Sequence, residues 1–400
     1  MEIEEAIGLI TANTKKIEDR IEVALEDAYG CILAEDITAR AAVPAFARSA
    51  MDGYAVRSED TKGASADKPV RLKVVSEILA GDNAACSYEE MTAVRIMTGA
   101  MIPDGYDAVV KQEDTDLGEE EVNIFSPVAQ YTNYCHIGEE IQKGDKVLAG
   151  GKRIGMIETG LAASLGMDRI KVIRPVKVGI ISTGSELTSP GRELAKGCIY
   201  GNIRYMINAA VKSIGFEVSC SADCPDDKDE ICAQITKAAS MSDVVITTGG
   251  VSVGKRDLVV GALSDIGARR LFSRVNIQPG TPTIASVYDD RIILGLSGNP
   301  FAALANFDLY FPPLCAKLTG CPELDTKTAE AVLCDPYEKV SRLRRLVRAY
   351  EDSGKVYLPV QKHMSSVFGN LDRCNCYIDI PADERISVGD TVKIRRMRYR

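Results

Sequence analysis

Four hundred residues, 46% of them hydrophobic and 26% charged, are enough for roughly two to four domains with ample cores. A net charge of −9 argues against a nucleic-acid partner, and no apolar run is long enough to cross a bilayer, so no membrane partner is expected. The twelve cysteines form no zinc-ligand or disulfide spacing, and the acidic start Met1-Glu2-Ile3-Glu4-Glu5 is unlike a signal peptide, so a cytoplasmic protein with reduced thiols is expected.

Ile3, Ala6, Ile7 and Ile10 recur at helical spacing and predict an amphipathic helix over 2–19, followed by a second helical segment over 23–33. The texture changes at residue 37. Met51-Asp52-Gly53-Tyr54 turns into a strand, although Asp-Gly is also ordinary hairpin chemistry. Short strands at 70–78, 92–97, 108–112 and 121–125 predict a small β module, in which Arg95-Ile96-Met97-Thr98-Gly99 ends a strand on a threonine and a glycine. An apolar helix over 157–165 is expected to pack back on the N-terminal one. Residues 38–138 would then be an insertion between 1–37 and 139–174, which together form a helical linker domain.

From Pro175 strands and helices alternate, as in an α/β domain spanning 175–321. A strand at 176–181 runs into Ser182-Thr183-Gly184-Ser185-Glu186-Leu187. A helix follows over 202–214, then a strand at 216–222, and Asp226-Asp227 precede a helix over 228–241. Val244 to Thr247 are β-branched without interruption, the texture of a strand buried on both faces of a parallel sheet. That strand ends in Thr248-Gly249-Gly250-Val251-Ser252-Val253-Gly254, with Asp257 just before the next apolar stretch. Leu294-Gly295-Leu296-Ser297-Gly298-Asn299-Pro300 is a further strand-to-helix turn, leading into a long apolar helix. Strands ending repeatedly in Thr-Gly, Gly-Gly and Ser-Gly predict an anion cradle at one sheet edge. Gly250 to Gly254 also fits the G-x-S-x-G nucleophile elbow, but a triad needs a histidine, and His136 and His363 are the two in the chain. Alternating segments at 329–334, 355–360, 376–380 and 391–394 predict a small β-barrel or sandwich over 322–400. Among its arginines, Arg342, Arg344, Arg345 and Arg348 form a cluster that could face an anion.

Five motifs fall in one order: Ser49-Ala50-Met51-Asp52-Gly53-Tyr54-Ala55-Val56, Arg95-Ile96-Met97-Thr98-Gly99, Ser182 to Leu187, Thr248 to Asp257, and Gly298-Asn299-Pro300. This set resembles the molybdopterin molybdenumtransferase family, which includes the E domain of gephyrin, over nearly the whole chain. The resemblance implies a three-layer α/β molybdopterin-binding domain, an inserted β domain, an N-terminal helical linker domain and a C-terminal β-barrel, assembled as an elongated homodimer. It implies adenylylated molybdopterin and molybdate as substrates, Mg²⁺ as the cation, and AMP as a product. Asp52, Thr98, Glu186, Asp227 and Asp257 stand at the family's functional polar positions, with Asp257 and Asp52 toward the metal. Thr183, Gly184, Gly249, Gly250, Ser252, Gly254, Gly298, Asn299, Pro300, Arg348 and Ser365 stand at its cofactor-binding positions. An acid in the first turn of a helix is also an ordinary cap, the competing reading for Asp227.

The chain departs from the family pattern where positive charge is expected. Gln278-Pro279-Gly280-Thr281-Pro282 replaces a segment carrying two lysines, and Cys135-His136-Ile137-Gly138-Glu139-Glu140 replaces an arginine-rich turn. The molybdate site is therefore expected to be short of positive charge, unless Arg48, Lys255, Arg256 or Arg274 refills it. The main alternative is a protein of the same fold that binds the pterin nucleotide without transferring metal. A serine hydrolase using Ser252 is the outside class.

Overall fold

The computed structural model describes residues 1–83, 85–251, 258–359 and 368–398, so Ser252, Gly254, Lys255, Arg256, Asp257, His363 and Ser365 lie outside the described residues. Residues 1–35, 150–155 and 169–400 form one unit, and residues 36–149 and 156–168 form another.

In the first unit, helix α1 (Ile3–Ala12) buries Ile3, Ala6 and Ile10. It stops short of residue 19 because Asn13 and Thr14 turn their side chains back onto the Leu9 and Ile10 carbonyls. The helix expected over 23–33 is absent. Arg20–Ala24 is instead a strand paired antiparallel with Arg169–Ile173, and Ile32–Leu33 pairs on the other side of Arg169–Ile173. Two features override helicity there. Ile21 and Val23 alternate at strand spacing, and Gly30 holds a left-handed φ of 83°.

The core of this unit is a six-stranded sheet. Its strands are β1 (Lys177–Thr183), β2 (Glu217–Cys224), β3 (Val244–Thr248), β4 (Arg269–Phe272), β5 (Ile284–Tyr288) and β6 (Arg291–Leu296), in the spatial order β2-β1-β3-β6-β5-β4. The first four in that order are parallel, β5 runs antiparallel to them, and β4, antiparallel to β5, returns to their direction. Helices α2 (Ile203–Ser213), α3 (Lys228–Met241), α4 (Leu258–Asp265) and α5 (Pro300–Thr319) cover it. Strand alternation sorts the faces. Ile180, Val244, Ile246 and Leu294 pack with α1, α2 and α5, whereas Ile181, Val245 and Ile293 pack with α3 and α4. Every residue of β3 is buried, as its uninterrupted apolar texture requires.

The chain then builds β7 (Thr328–Leu333), β8 (Arg344–Asp352), β9 (Lys355–Tyr357), β10 (Cys376–Ile380) and β11 (Thr391–Arg396). The pairings β8-β9-β7-β11-β10 return to β8, so these strands close into a barrel without free edges. Asp379, on the opposite face of β10 from the barrel core, receives Arg344 and Arg395, at 2.6 and 2.7 Å. A two-residue strand, Ile277–Gln278, runs parallel to Arg344–Arg345 and ties the segment after β4 to the barrel.

The second unit carries a five-stranded sheet in the order Ala108–Lys111, Gly53–Val56, Thr92–Ile96, Val70–Ile78, Glu121–Ile124. Gly53–Val56 is buried throughout. The helix Met156–Ser164 groups with this unit, while α1 groups with the first.

Candidate functional site

β1 leads through α2 to β2 on one side, while β3 lies on the other side of β1. The loops after β1 and β3 therefore diverge, and their divergence opens a crevice at the carboxyl ends of the strands. A cavity of about 320 Å³ occupies it, lined by Thr183, Gly184 and Glu186 from the first loop and by Gly249 and Gly250 from the second. Gly298 and Pro300, at the start of α5, complete the wall, together with Asp226. The N-terminus of α5 thus adds the positive end of a helix dipole, which suits an anionic group.

The glycines are sterically required at the strand ends. Gly249 sits at φ 89°, and a Cβ there would run into the Thr183 carbonyl. The Gly249 N–H donates to the Leu296 carbonyl at 3.0 Å, pinning the β3 loop to the end of β6. Below the loops the floor is sealed by paired hydroxyls, Ser182 to Thr248 at 2.7 Å, and by the Thr183 hydroxyl donating to the Thr248 carbonyl at 3.2 Å.

The two neighbouring aspartates divide their roles. Asp227 caps α3, accepting from the Glu230 N–H at 2.9 Å. Asp226 faces the cavity and exchanges hydrogen bonds with Ser185, linking the loops after β1 and β2. Asn299 likewise caps α5, accepting from the Ala302 N–H at 3.1 Å. Asp226 was missed in the sequence. The signal was available, because an aspartate three residues before Glu230 is a capping pattern that releases its neighbour.

A second cavity, of about 480 Å³, shares Pro282 and Ser297 with the first. Gln278, Thr281 and Asn299 line it, facing Lys339, Arg345 and Arg348 from the barrel and its approach. Arg348 is fully buried, with its guanidinium 3.9 Å from the Phe301 ring centroid and Nη1 donating to Asn370 Oδ1 at 2.7 Å. Burial pulls its pKa below the ordinary arginine value. The expected shortage of positive charge around Gln278 and Thr281 is thus not what the cavity has. Among the described residues its cations are Lys339, Arg345 and Arg348, and Arg274 does not line it. Arg344, by contrast, points away into its pairing with Asp379 and Glu4.

Asp52 and Thr98 meet in the second unit. The Thr98 N–H and hydroxyl both donate to Asp52 Oδ1, each at 2.7 Å, and hold its carboxyl below the usual range. Also in that unit, His136 packs against Tyr131 and Tyr134, with centroids at 4.6 and 4.9 Å. Among the described residues no three metal-ligating side chains gather. Among the described residues, Glu186 and Asp226 are the carboxylates lining the first cavity. No helix among the described residues is long and apolar enough to cross a membrane.

A doubly wound domain with a glycine-walled crevice at its switch point, and a cationic cavity next to it, defines a binding site for an extended anionic ligand. The comparisons with known proteins agree with that class. Residues 1–166 match the MoeA N-terminal region (domain I and II), residues 179–317 a probable molybdopterin binding domain, and residues 330–395 the MoeA C-terminal region (domain IV). The molybdopterin molybdenumtransferase of Staphylococcus epidermidis is 35% identical over 96% of this chain and 92% of its own length. That of Staphylococcus aureus is 35% identical over 98% and 94%. A molybdopterin biosynthesis MoeA protein from Pyrococcus horikoshii superposes with a TM-score of 0.86 at 30% identity, covering 99% of both chains. The chain belongs to the molybdopterin molybdenumtransferase family, enzymes of molybdenum cofactor biosynthesis.

Proposed function

We propose that the crevice between β1 and β3 takes the nucleotide-bearing end of adenylylated molybdopterin, and that the adjoining cavity takes molybdate. The enzyme then releases AMP as the metal is seated on the pterin dithiolene. The observation that carries this reading is the shared wall at Pro282 and Ser297, which places a phosphate-type cradle beside a cationic cavity. One substrate can then reach from one into the other.

Within the cradle, the α5 N-terminus and the glycine loops orient the phosphates, while the sealed Ser182 and Thr248 floor limits how deep the ligand goes. Glu186 and Asp226 suit a magnesium ion, which commonly takes one or two carboxylates and completes its shell with substrate phosphates and water. On the family resemblance Asp257 and Asp52 are also proposed metal-side residues. When bound, the cation offsets the negative charge on the phosphoanhydride oxygens. Asp227 and Thr98 act through others in this reading, the first by fixing α3 and the second by keeping Asp52 ionised. On the same resemblance the enzyme works as a cytoplasmic homodimer.

The test is incubation with adenylylated molybdopterin, magnesium and molybdate, with AMP followed chromatographically. Molybdate-dependent AMP release supports the reading. Tight binding of the adenylylated pterin with no AMP at any molybdate concentration would favour the non-transferring binding protein instead.

A further inference from the structure

We propose that Arg345, assisted by Lys339, is the cation that receives the oxyanion in this chain, and that Gln278 is the positioning residue that aims it. This rests on reading the second cavity as the molybdate subsite.

Among the described residues Arg345 is a buried charge without a counter-ion. It is 8% exposed and lies in the cavity wall, and its Nε is buried with no hydrogen-bond partner among those residues. Its neighbour Arg344 is neutralised by Asp379 and Glu4, whereas no carboxylate among the described residues pairs with Arg345. Burying a guanidinium is costly unless something of opposite charge meets it. A cavity beside such a group is therefore built to admit an anion. The guanidinium is planar and presents several N–H donors in fixed directions, a geometry suited to neighbouring oxygens of one tetrahedral dianion.

The surroundings hold this guanidinium in place and do not neutralise it. Strand pairing sets Gln278 directly beside Arg345. Gln278 Oε1 accepts from Arg345 Nη1 at 3.2 Å and from the Ser341 hydroxyl at 3.3 Å. The Tyr337 ring lies on another side, 6.0 Å from the guanidinium carbon. Thr281 contributes no charge, and its hydroxyl proton is committed to the Ile277 carbonyl at 2.5 Å. Arg348 and Lys339 add two further positive charges to the same wall. The charge absent at positions 278 and 281 is thus supplied from the neighbouring barrel strand and its approach, and the uncharged amide at 278 is what leaves Arg345 available.

This division of labour predicts an unusual response to charge at position 278. Gln278→Glu keeps the acceptor oxygen and the size of the side chain but pairs Arg345 internally. It should raise the molybdate concentration for half-maximal AMP release about ten- to a hundred-fold, the scale of one lost charge-assisted contact, while leaving affinity for the adenylylated pterin unchanged. A merely structural role for Gln278 predicts no shift, since its hydrogen bonds are retained. Arg345→Gln should give a similar rise, and adding Gln278→Lys to that variant should reverse most of it. Lys339→Gln, at an exposed position, should give a smaller rise and keeps the test decisive if Arg345→Gln fails to fold. Calorimetric titration of molybdate into each protein reads the same site without catalysis. If the wild-type protein and Gln278→Glu share one molybdate dependence in both measurements, the inference is overturned. If wild-type protein binds molybdate, Gln278→Glu does not, and neither releases AMP, the Arg345 assignment stands while the proposed reaction fails.

Discussion

Replacing Asp308 with asparagine should stabilise the protein, and only above a defined pH. Asp308 lies in α5 and is 6% exposed. Its Oδ2 accepts from the Tyr377 hydroxyl at 2.8 Å, and its Oδ1 has no partner among the described residues. Burial pushes its pKa up to about 7, against a small opposing effect of the Tyr377 hydrogen bond. In the unfolded chain the same group titrates near 3.8. Between these values the folded protein holds a proton that the unfolded chain has released, so stability falls as pH rises through this window. Above about pH 7 the full penalty is present. A shift of about three units corresponds to at most ~4 kcal/mol, at about 1.4 kcal/mol per unit, and relaxation around the charge makes ~1–4 kcal/mol the expected range. Asparagine has nearly the same shape, can still accept from Tyr377, and does not titrate. Chemical denaturation of both proteins from pH 4.5 to 8.5 should give curves that diverge steadily and run parallel above about pH 7, with the variant ahead. Profiles that stay parallel over the whole range would mean that Asp308 ionises normally, and the reasoning from its burial would be refuted.

Asp379→Asn should do the reverse. Burial alone would raise the pKa of Asp379, but Arg344 and Arg395 overrule it and hold the carboxyl below its usual range. Removing that charge leaves two guanidiniums sharing the more exposed Glu4 and should cost about 3–5 kcal/mol at neutral pH, with the gap to wild type closing only in acid as the wild-type carboxylate protonates; acid unfolding followed by near-UV circular dichroism reads this. Gly249→Ala should destabilise by about 1–3 kcal/mol and weaken pterin-nucleotide binding further, since the new methyl meets the Thr183 carbonyl at a left-handed φ. A thermal shift with unimpaired binding would contradict that. Thr98→Ala removes one of the two hydrogen bonds that lower the Asp52 pKa, so the acid limb of the AMP-release profile should move to higher pH. An unmoved limb would detach Asp52 from the reaction.

The parts of the fold legible in the sequence were those in which one physical requirement dominates. Val244 to Thr247 had to be a doubly covered strand because nothing in it could face water, and it is. The glycine clusters marked where strands end because such turns tolerate few other residues. Residues 23–33 were misread as helical because their apolar spacing suits either period, and pairing with Arg169–Ile173, far away in sequence, decided the matter. The site was legible as a set of loops but not as a charge distribution. Gln278 and Thr281 announced missing cations. The replacement, Arg345, stood within a visible arginine cluster whose members serve opposite purposes, one locked to Asp379 and another open to a cavity. Strand direction separates them, and that is a three-dimensional fact.

The interrupted path of the first unit has a consequence for the chain as it leaves the ribosome. Its opening helix packs into a cluster that α5 completes, and Ile17 donates its N–H to the Leu318 carbonyl at 2.8 Å. Arg20–Ala24 must likewise wait for Arg169–Ile173. The unit built mainly from residues 36–149 has no such debt, since its sheet closes within its own span. Synthesis therefore delivers the inserted unit first as a finished body, while the cluster around Ile3, Ala6 and Ile10 stays incomplete until some three-quarters of the message has been read. Losses that follow truncation near the end of α5 should accordingly appear at the amino terminus, as proteolytic cleavage around α1, before they appear anywhere in the inserted sheet.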